Sequence, residues 1–285
     1  PKIKQSGLIR KQICRNRRRK GNSESPSPSF YDREKPTLIR MKPVLALLQF
    51  TTILPLGKPA DFDAFAKNSW LYPIAGYVTG FISAIPAILA AVLGFDNSLV
   101  VAALTLAVSL FISGGNHFDG LLDFGDGLMA HGSTEKRIRA MTDRTTGAGA
   151  LALGMITLLI TFAALASLPA ELIAAAVITA EVCGKMIMGL FSALGKPFHE
   201  GIQSYIYGLS KRRFAVYTIL LALPLLLFIP AKSAGIGILA GILTFAGLCL
   251  LAKKLFGGVN GDVTGAGNEL GKMMVCLVFA VLASA

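Results

Sequence analysis

Seven apolar runs, at about 72–94, 97–113, 147–168, 170–194, 214–230, 234–252 and 270–285, constrain this chain more than any other feature. Most approach the roughly 20 residues that a helix needs to cross a bilayer, so the chain reads as an all-α, polytopic integral membrane bundle of about seven transmembrane helices. The second and last runs are short, and their ends are soft. A further apolar stretch, Pro43 to Leu56, is shorter still and reads as an interfacial or re-entrant segment. A mean hydropathy of +0.61, with 53% hydrophobic and 15% charged residues, agrees with this class.

The net charge of +12 suggests nucleic acid until its distribution is considered. Residues 1–42 hold thirteen Lys/Arg against three acids, and the rest of the chain fifteen against thirteen. The basicity therefore belongs to a tail, residues 1–40, which reads as disordered and suited to anionic lipid. No aromatic residues interleave with the basic residues of 1–20, and no nucleic-acid partner is expected. Residues 41–285 form a single membrane-embedded domain. The four cysteines show no paired spacing, and three of them lie in apolar runs as packing residues.

Loop charges set an orientation. The connections near Asp96, Pro169 and Lys232 carry one basic residue between them. The alternating connections carry Lys136, Arg137, Arg139 and Arg144, then Lys196, Lys211, Arg212 and Arg213, then Lys253 and Lys254. Seven spans with a cytoplasmic N-terminus place these three polar connections on the cytoplasmic face of the cell membrane.

The first of them opens with Gly114-Gly115-Asn116-His117-Phe118-Asp119-Gly120-Leu121-Leu122-Asp123-Phe124-Gly125-Asp126-Gly127. Asp119, Asp123 and Asp126 stand at i, i+4 and i+7, which on a helix places all three carboxylates on one face. Unit charges 4 Å apart repel by about 4 kcal/mol at an effective dielectric near 20, so the cluster calls for a cation, and Mg²⁺ prefers carboxylate oxygens. A solvated acidic loop explains the charges but not the glycines packed around them. His117 is a general base or a hydrogen bonder to a metal ligand; both readings are open. Arg139 and its basic neighbours snorkel at the interface or pair with phosphates.

The third connection, Gly257-Gly258-Val259-Asn260-Gly261-Asp262-Val263-Thr264-Gly265-Ala266 with Asn268 and Glu269, reads as a glycine-dense turn before a helix, able to cradle an anion. Asp262, Thr264 and Glu269 make a turn with no other role less plausible. Lys196, His199, Glu200 and Gln203 lie in the second connection. Glu181 and Lys185, four apart inside an apolar run, are either a structural ion pair or functional. A charge at the centre of a span costs about 2.5–3.5 kcal/mol.

The motifs together resemble the cobalamin synthase family, the adenosylcobinamide-GDP ribazoletransferases. His117 to Asp123 with Asp126-Gly127 is similar to the family's His-x-Asp-Gly-Leu-x-Asp-x-x-Asp-Gly. Met141-Thr142-Asp143 resembles a Met-x-Asp segment, and Gly257 to Leu270 is similar to the C-terminal signature. Leu48 to Thr52 with Leu54-Pro55, and Pro73, Gly76 and Gly80, resemble the N-terminal one. Ile53 stands where the family usually has Arg, and Asp143-Arg144-Thr145 where it has Asp-Ser-Arg. The resemblance runs from about Met41 to the end.

It implies transfer of the adenosylcobinamide phosphoryl group from its GDP adduct to α-ribazole or its 5′-phosphate, with release of GMP, by a Mg²⁺-dependent membrane enzyme. Asp119, Asp123, Asp126 and Asp262 are then the expected metal ligands, and the first three with His117 the catalytic groups. Asp143, Arg139, Arg144, Lys185, Lys196, Gly261, Thr264 and Glu269 are expected to contact substrate. CDP-alcohol phosphotransferases need an Asp-Gly-x-x-Ala-Arg segment that is absent. Prenyltransferases need a second Asp-rich motif, where this chain offers only Asp262 and Glu269. A cation transporter would show repeat symmetry and midplane acids.

Overall fold

The computed structural model describes residues 36–284. Every named element among them is helical: α1 (Pro36–Thr51), α2 (Phe62–Ala66), a 3₁₀ turn (Ser69–Leu71), α3 (Tyr72–Leu93), α4 (Ser98–Ile112), α5 (Asn116–Met129), α6 (Thr134–Thr142), α7 (Ala148–Ala166), α8 (Ala170–Leu194), α9 (Ile202–Leu209), α10 (Phe214–Leu220), α11 (Leu225–Phe228), α12 (Ala231–Phe256) and α13 (Gly261–Ser284). The basic tail expected over residues 1–40 lies outside the described residues, apart from its last five, which open α1.

Among the described residues, five helices are long and apolar enough to cross a membrane: Ser69–Leu93, α7, α8, α12 and α13. The α4–α5 pair makes a sixth if its two arms, bent by 91°, count as one broken span. The expected count of about seven is thus five or six. The run at 214–230 accounts for one loss. It breaks at Leu221–Pro224 into α10 and α11, because proline has no N–H for the helical ladder and its ring crowds the preceding turn. The run at 97–113 yields only the 15-residue α4. The last run is longer than expected, since α13 begins at Gly261 rather than near residue 270.

Helix α8 is the central staff: 83% of its most apolar stretch is buried, against 33–50% for the other four spans. Glycines let its neighbours approach. A Cβ on Gly76 of α3 would lie 2.6 Å from the Val182 Cα, and one on Gly184 would lie 2.9 Å from the Asn268 carbonyl oxygen of α13. Outward-facing Leu104, Phe111, Leu159, Leu243 and Val281 are more than half exposed, as suits helices whose solvent on that side is lipid. At one end α1 packs with Phe65, Tyr72 and Ile206 in a small apolar cluster, so the short segment at 43–56 is helical up to Thr51 and then leaves the helix.

Candidate functional site

Gly114 and Gly115, at φ 62° and 69°, take left-handed conformations that cost other residues strain, and they turn the chain from α4 into α5. Helix α5 then presents Leu121 and Phe124 to the core and leaves Asp119, Asp123 and Asp126 half-buried. The i, i+4, i+7 spacing therefore falls on a real helix.

Helix α13 crosses α5 at two glycines. A Cβ on Gly120 would lie 3.1 Å from the Cα and carbonyl oxygen of Asp262, and one on Gly265 would lie 3.0 Å from the carbonyl oxygen of His117. Backbones this close carry Asp262 to the turn of α5 that bears Asp119 and Asp123. Asn260 fixes the start of α13. Its Oδ1 accepts the Val263 N–H at 3.0 Å, while its Nδ2 donates to Asp262 Oδ2 at 2.8 Å and to Met141 Sδ at 3.4 Å. Met141 is fully buried beneath α6, and a Cβ on Gly127 would touch it at 3.0 Å. The second polar connection joins the third through backbone: Val259 N–H donates to the Lys196 carbonyl at 2.9 Å, and Pro197 and Val259 form a parallel bridge. All three polar connections meet at one end of the bundle.

Asp126 is held by two backbone donors. Asp126 accepts the Gly147 N–H on Oδ2 and the Ala150 N–H on Oδ1, both at 2.8 Å. Those donors belong to the first turn of α7, where free amides and the helix dipole favour an anion. Arg137 completes the frame by donating to the Leu128 carbonyl at 2.8 Å and the Gly127 carbonyl at 3.3 Å, at the C-terminal end of α5.

Other residues singled out from the sequence fall into two groups. Arg139, Asp143, Arg144, Lys196 and Gly261 are exposed near this end. The Thr145 N–H and hydroxyl, which donate to Asp143 at 3.1 and 3.0 Å, hold that carboxyl below its usual range. Thr264, Glu269, Lys185 and His117 are buried. Thr264 spends its hydroxyl proton on the Asn260 carbonyl at 2.9 Å. His117 is 6% exposed, and its Nδ1 has no hydrogen-bond partner among the described residues.

Lys185 and Glu269 belong to a buried ionic network with Glu181 and Lys272. Lys185 donates to Asn268 Oδ1 at 2.9 Å and stands 3.7 Å from Glu181. Lys272 lies 3.1 Å from both Glu181 and Glu269. Ser109 and Thr79 donate to the two Glu181 oxygens at 2.5 and 2.8 Å.

The sequence model for cobalamin-5-phosphate synthase matches residues 43–280. The chain belongs to this family. It is 34% identical to the adenosylcobinamide-GDP ribazoletransferase of Methanococcoides burtonii over 248 residues, covering 83% of this chain and 90% of the relative. A protein of the same name from Pyrococcus furiosus is 35% identical, with 83% and 99% covered, and one from Methanosarcina mazei is 32% identical, with 81% and 89% covered. No solved structure matches. The family match spans every acid and glycine of the α5–α13 crossing.

Reading the sequence missed Lys272 and the partners of three residues it named. Lys272 was detectable by the argument applied to Lys185, a charge inside an apolar run. Asn260, Asn268 and Arg137 were named, but not their partners: Arg137, read as an interfacial or phosphate-pairing cation, instead donates to α5 carbonyls, and such contacts are set by packing between helices.

Proposed function

We propose that this chain joins adenosylcobinamide-GDP to α-ribazole, or to α-ribazole 5′-phosphate, with release of GMP, at the face where α5, α6, α13 and the 195–213 connection meet. The observation that carries this reading is the α5–α13 crossing, which seats Asp262 against the turn bearing Asp119 and Asp123. Family membership favours it over the prenyltransferase and transporter alternatives.

The donor set suits Mg²⁺ in chemistry. Asp119, Asp123 and Asp262 offer only hard carboxylate oxygens and are half-buried. Among the described residues no three His, Cys, Asp or Glu side chains cluster tightly enough to enclose an ion. Mg²⁺ does not require that, because it commonly takes one or two protein carboxylates and completes its shell with water and substrate phosphate. When bound there, it would supply positive charge against the diphosphate. Asp126 plays a different part in this reading: its two backbone donors make it the brace between α5 and α7. Arg139, Arg144 and Lys196, exposed at the same end, pair with the phosphates of the incoming nucleotide. The ribazole hydroxyl forms a new O–P bond as the P–O bond to GMP breaks, and its proton goes to a base. Asp126 and His117 are the two candidate bases: both Asp126 oxygens accept N–H groups, and His117 is buried with its Nδ1 unpaired among the described residues. The loop charges favour the cytoplasmic side of the cell membrane for this face.

The test is direct. Membranes containing the full chain, given adenosylcobinamide-GDP, α-ribazole and Mg²⁺, are expected to form a product of cobalamin mass together with GMP, and to stop reversibly in EDTA. No GMP above a blank membrane, with substrates intact, would sink the assignment.

A further inference from the structure

The buried ionic network invites a question about register. Its charges balance, two lysines against two glutamates, yet a bundle of this size holds together equally well on apolar contacts. What apolar contacts do less well is forbid sliding, and buried polar groups are best attested as devices that fix one register.

Lys272 is the hub. Its ammonium has three acceptors and reaches three helices: Ser109 Oγ of α4 at 2.9 Å, Glu181 Oε1 of α8 at 3.1 Å, and Glu269 Oε2 of its own α13 at 3.1 Å. It is 5% exposed. Ser109 in turn donates to Glu181, and Thr79 adds α3 to the same carboxylate. Lys272 stands ten residues after Asp262 along α13, and Ser109 ten residues before Asp119 along α4 and α5. The Lys272–Ser109 contact thus joins the two segments that carry the opposed acids, at equal chain distance from each. Sliding α13 by one turn, about 5.4 Å, would break all three ammonium contacts at once and carry Asp262 away from Gly120.

We propose that Lys272, with Glu181 and Ser109, is a positioning unit that sets the depth of α13 against α4–α5 and so places Asp262 beside Asp119 and Asp123. The unit touches no substrate, and its catalytic consequence rests on the transferase reading above.

The decisive variant is the double Glu181→Gln, Lys272→Met, measured in the full-length protein beside Lys272→Met alone. Spin labels at Met129→Cys on α5 and Val281→Cys on α13, both exposed positions, report the register by pulsed EPR once Cys14 and Cys249 are replaced by Ser. The single variant leaves Glu181 short of a partner and is expected to melt lower. The double variant removes one charge of each sign, keeps the network neutral and is expected to melt higher than the single variant, yet to show a broadened or displaced label distance and a turnover lowered about a hundredfold, the size expected for a displacement near 1 Å. If the label distance stays that of the wild type, or turnover returns with stability, the network is structural only and the proposal fails. Should the double variant not accumulate in membranes, Lys272→Arg decides. It keeps the charge, but its planar fork cannot serve three acceptors arranged around an ammonium. A wild-type label distance in that variant overturns the proposal. A wild-type protein that releases no GMP, while its label distance still responds to these changes, would fail the transferase reading alone.

Discussion

Asp126 is tied to α7 through both of its carboxylate oxygens, and the consequence is measurable. With two α7 amides bound at 2.8 Å, it acts, in the reading proposed above, through the position of α5. We expect Asp119→Asn and Asp123→Asn each to lower turnover on the order of a hundredfold, comparable to losing one group that stabilises developing charge. Raising Mg²⁺ should partly rescue at least one of them. Asp126→Asn keeps an acceptor for only one amide; it should melt lower and show no Mg²⁺ rescue. Steady-state turnover across a Mg²⁺ titration, with thermal melts of all three, separates the roles, and equal rescue of all three would show Asp126 to be a ligand like the others. Tyr205 offers a pH test outside the spans. Burial first, then the hydrogen bond to Asp63 and that carboxylate's charge, push its phenol up to about 12. The protonated form is the one the fold favours, so its contribution to stability is complete below the ordinary phenol value of 10.0 and is lost as pH rises toward about 12. Tyrosinate absorbance of wild type minus Tyr205→Phe should therefore appear about two pH units later than for a free phenol.

Among the elements, the crossings made by glycine divide into those that hold the bundle and those that place the acids. Gly76 of α3 faces the central helix so closely that a Cβ would sit 2.6 Å from a backbone atom. Gly76→Ala is expected to cost about 1–3 kcal/mol as overpacking, read as a lower melting temperature and weaker accumulation in membranes. At Gly120 the same change asks for a shift of only a few tenths of an ångström, but the shift falls on Asp262. Gly120→Ala should leave melting nearly unchanged and reduce turnover by roughly tenfold or more, because small misplacements at a reacting centre are costly. A Gly120→Ala enzyme of normal turnover would separate the crossing from catalysis.

For the molecule as a whole, the packed unit and the family match begin almost together, the unit at Arg40 and the match at residue 43. A chain beginning at Met41 should insert into membranes and turn over substrate as the full chain does, with weaker attachment to anionic vesicles as the sole change. Loss of folded protein on that truncation, seen by size-exclusion in detergent, would give the basic segment a part in the fold.

Hydropathy and spacing determined the helical membrane class and the aspartate face of α5, and motifs spread over the chain gave the resemblance to the family. These are local or additive properties, and a run of apolar residues or an i, i+4, i+7 pattern means much the same wherever it packs. The glycines of 257–267 were different. Read in sequence they make a turn, yet only Gly257, at φ 79°, is left-handed, and from Gly261 onward they lie inside α13. Their purpose is visible only when another backbone lies against them. The same holds for Asp126, whose partners are 21 and 24 residues away, and for Lys272, whose partner Ser109 is 163 residues away. Which charge meets which, and which backbone amides reach Asp126, depends on distances between helices far apart in the chain, and only the tertiary structure decided it.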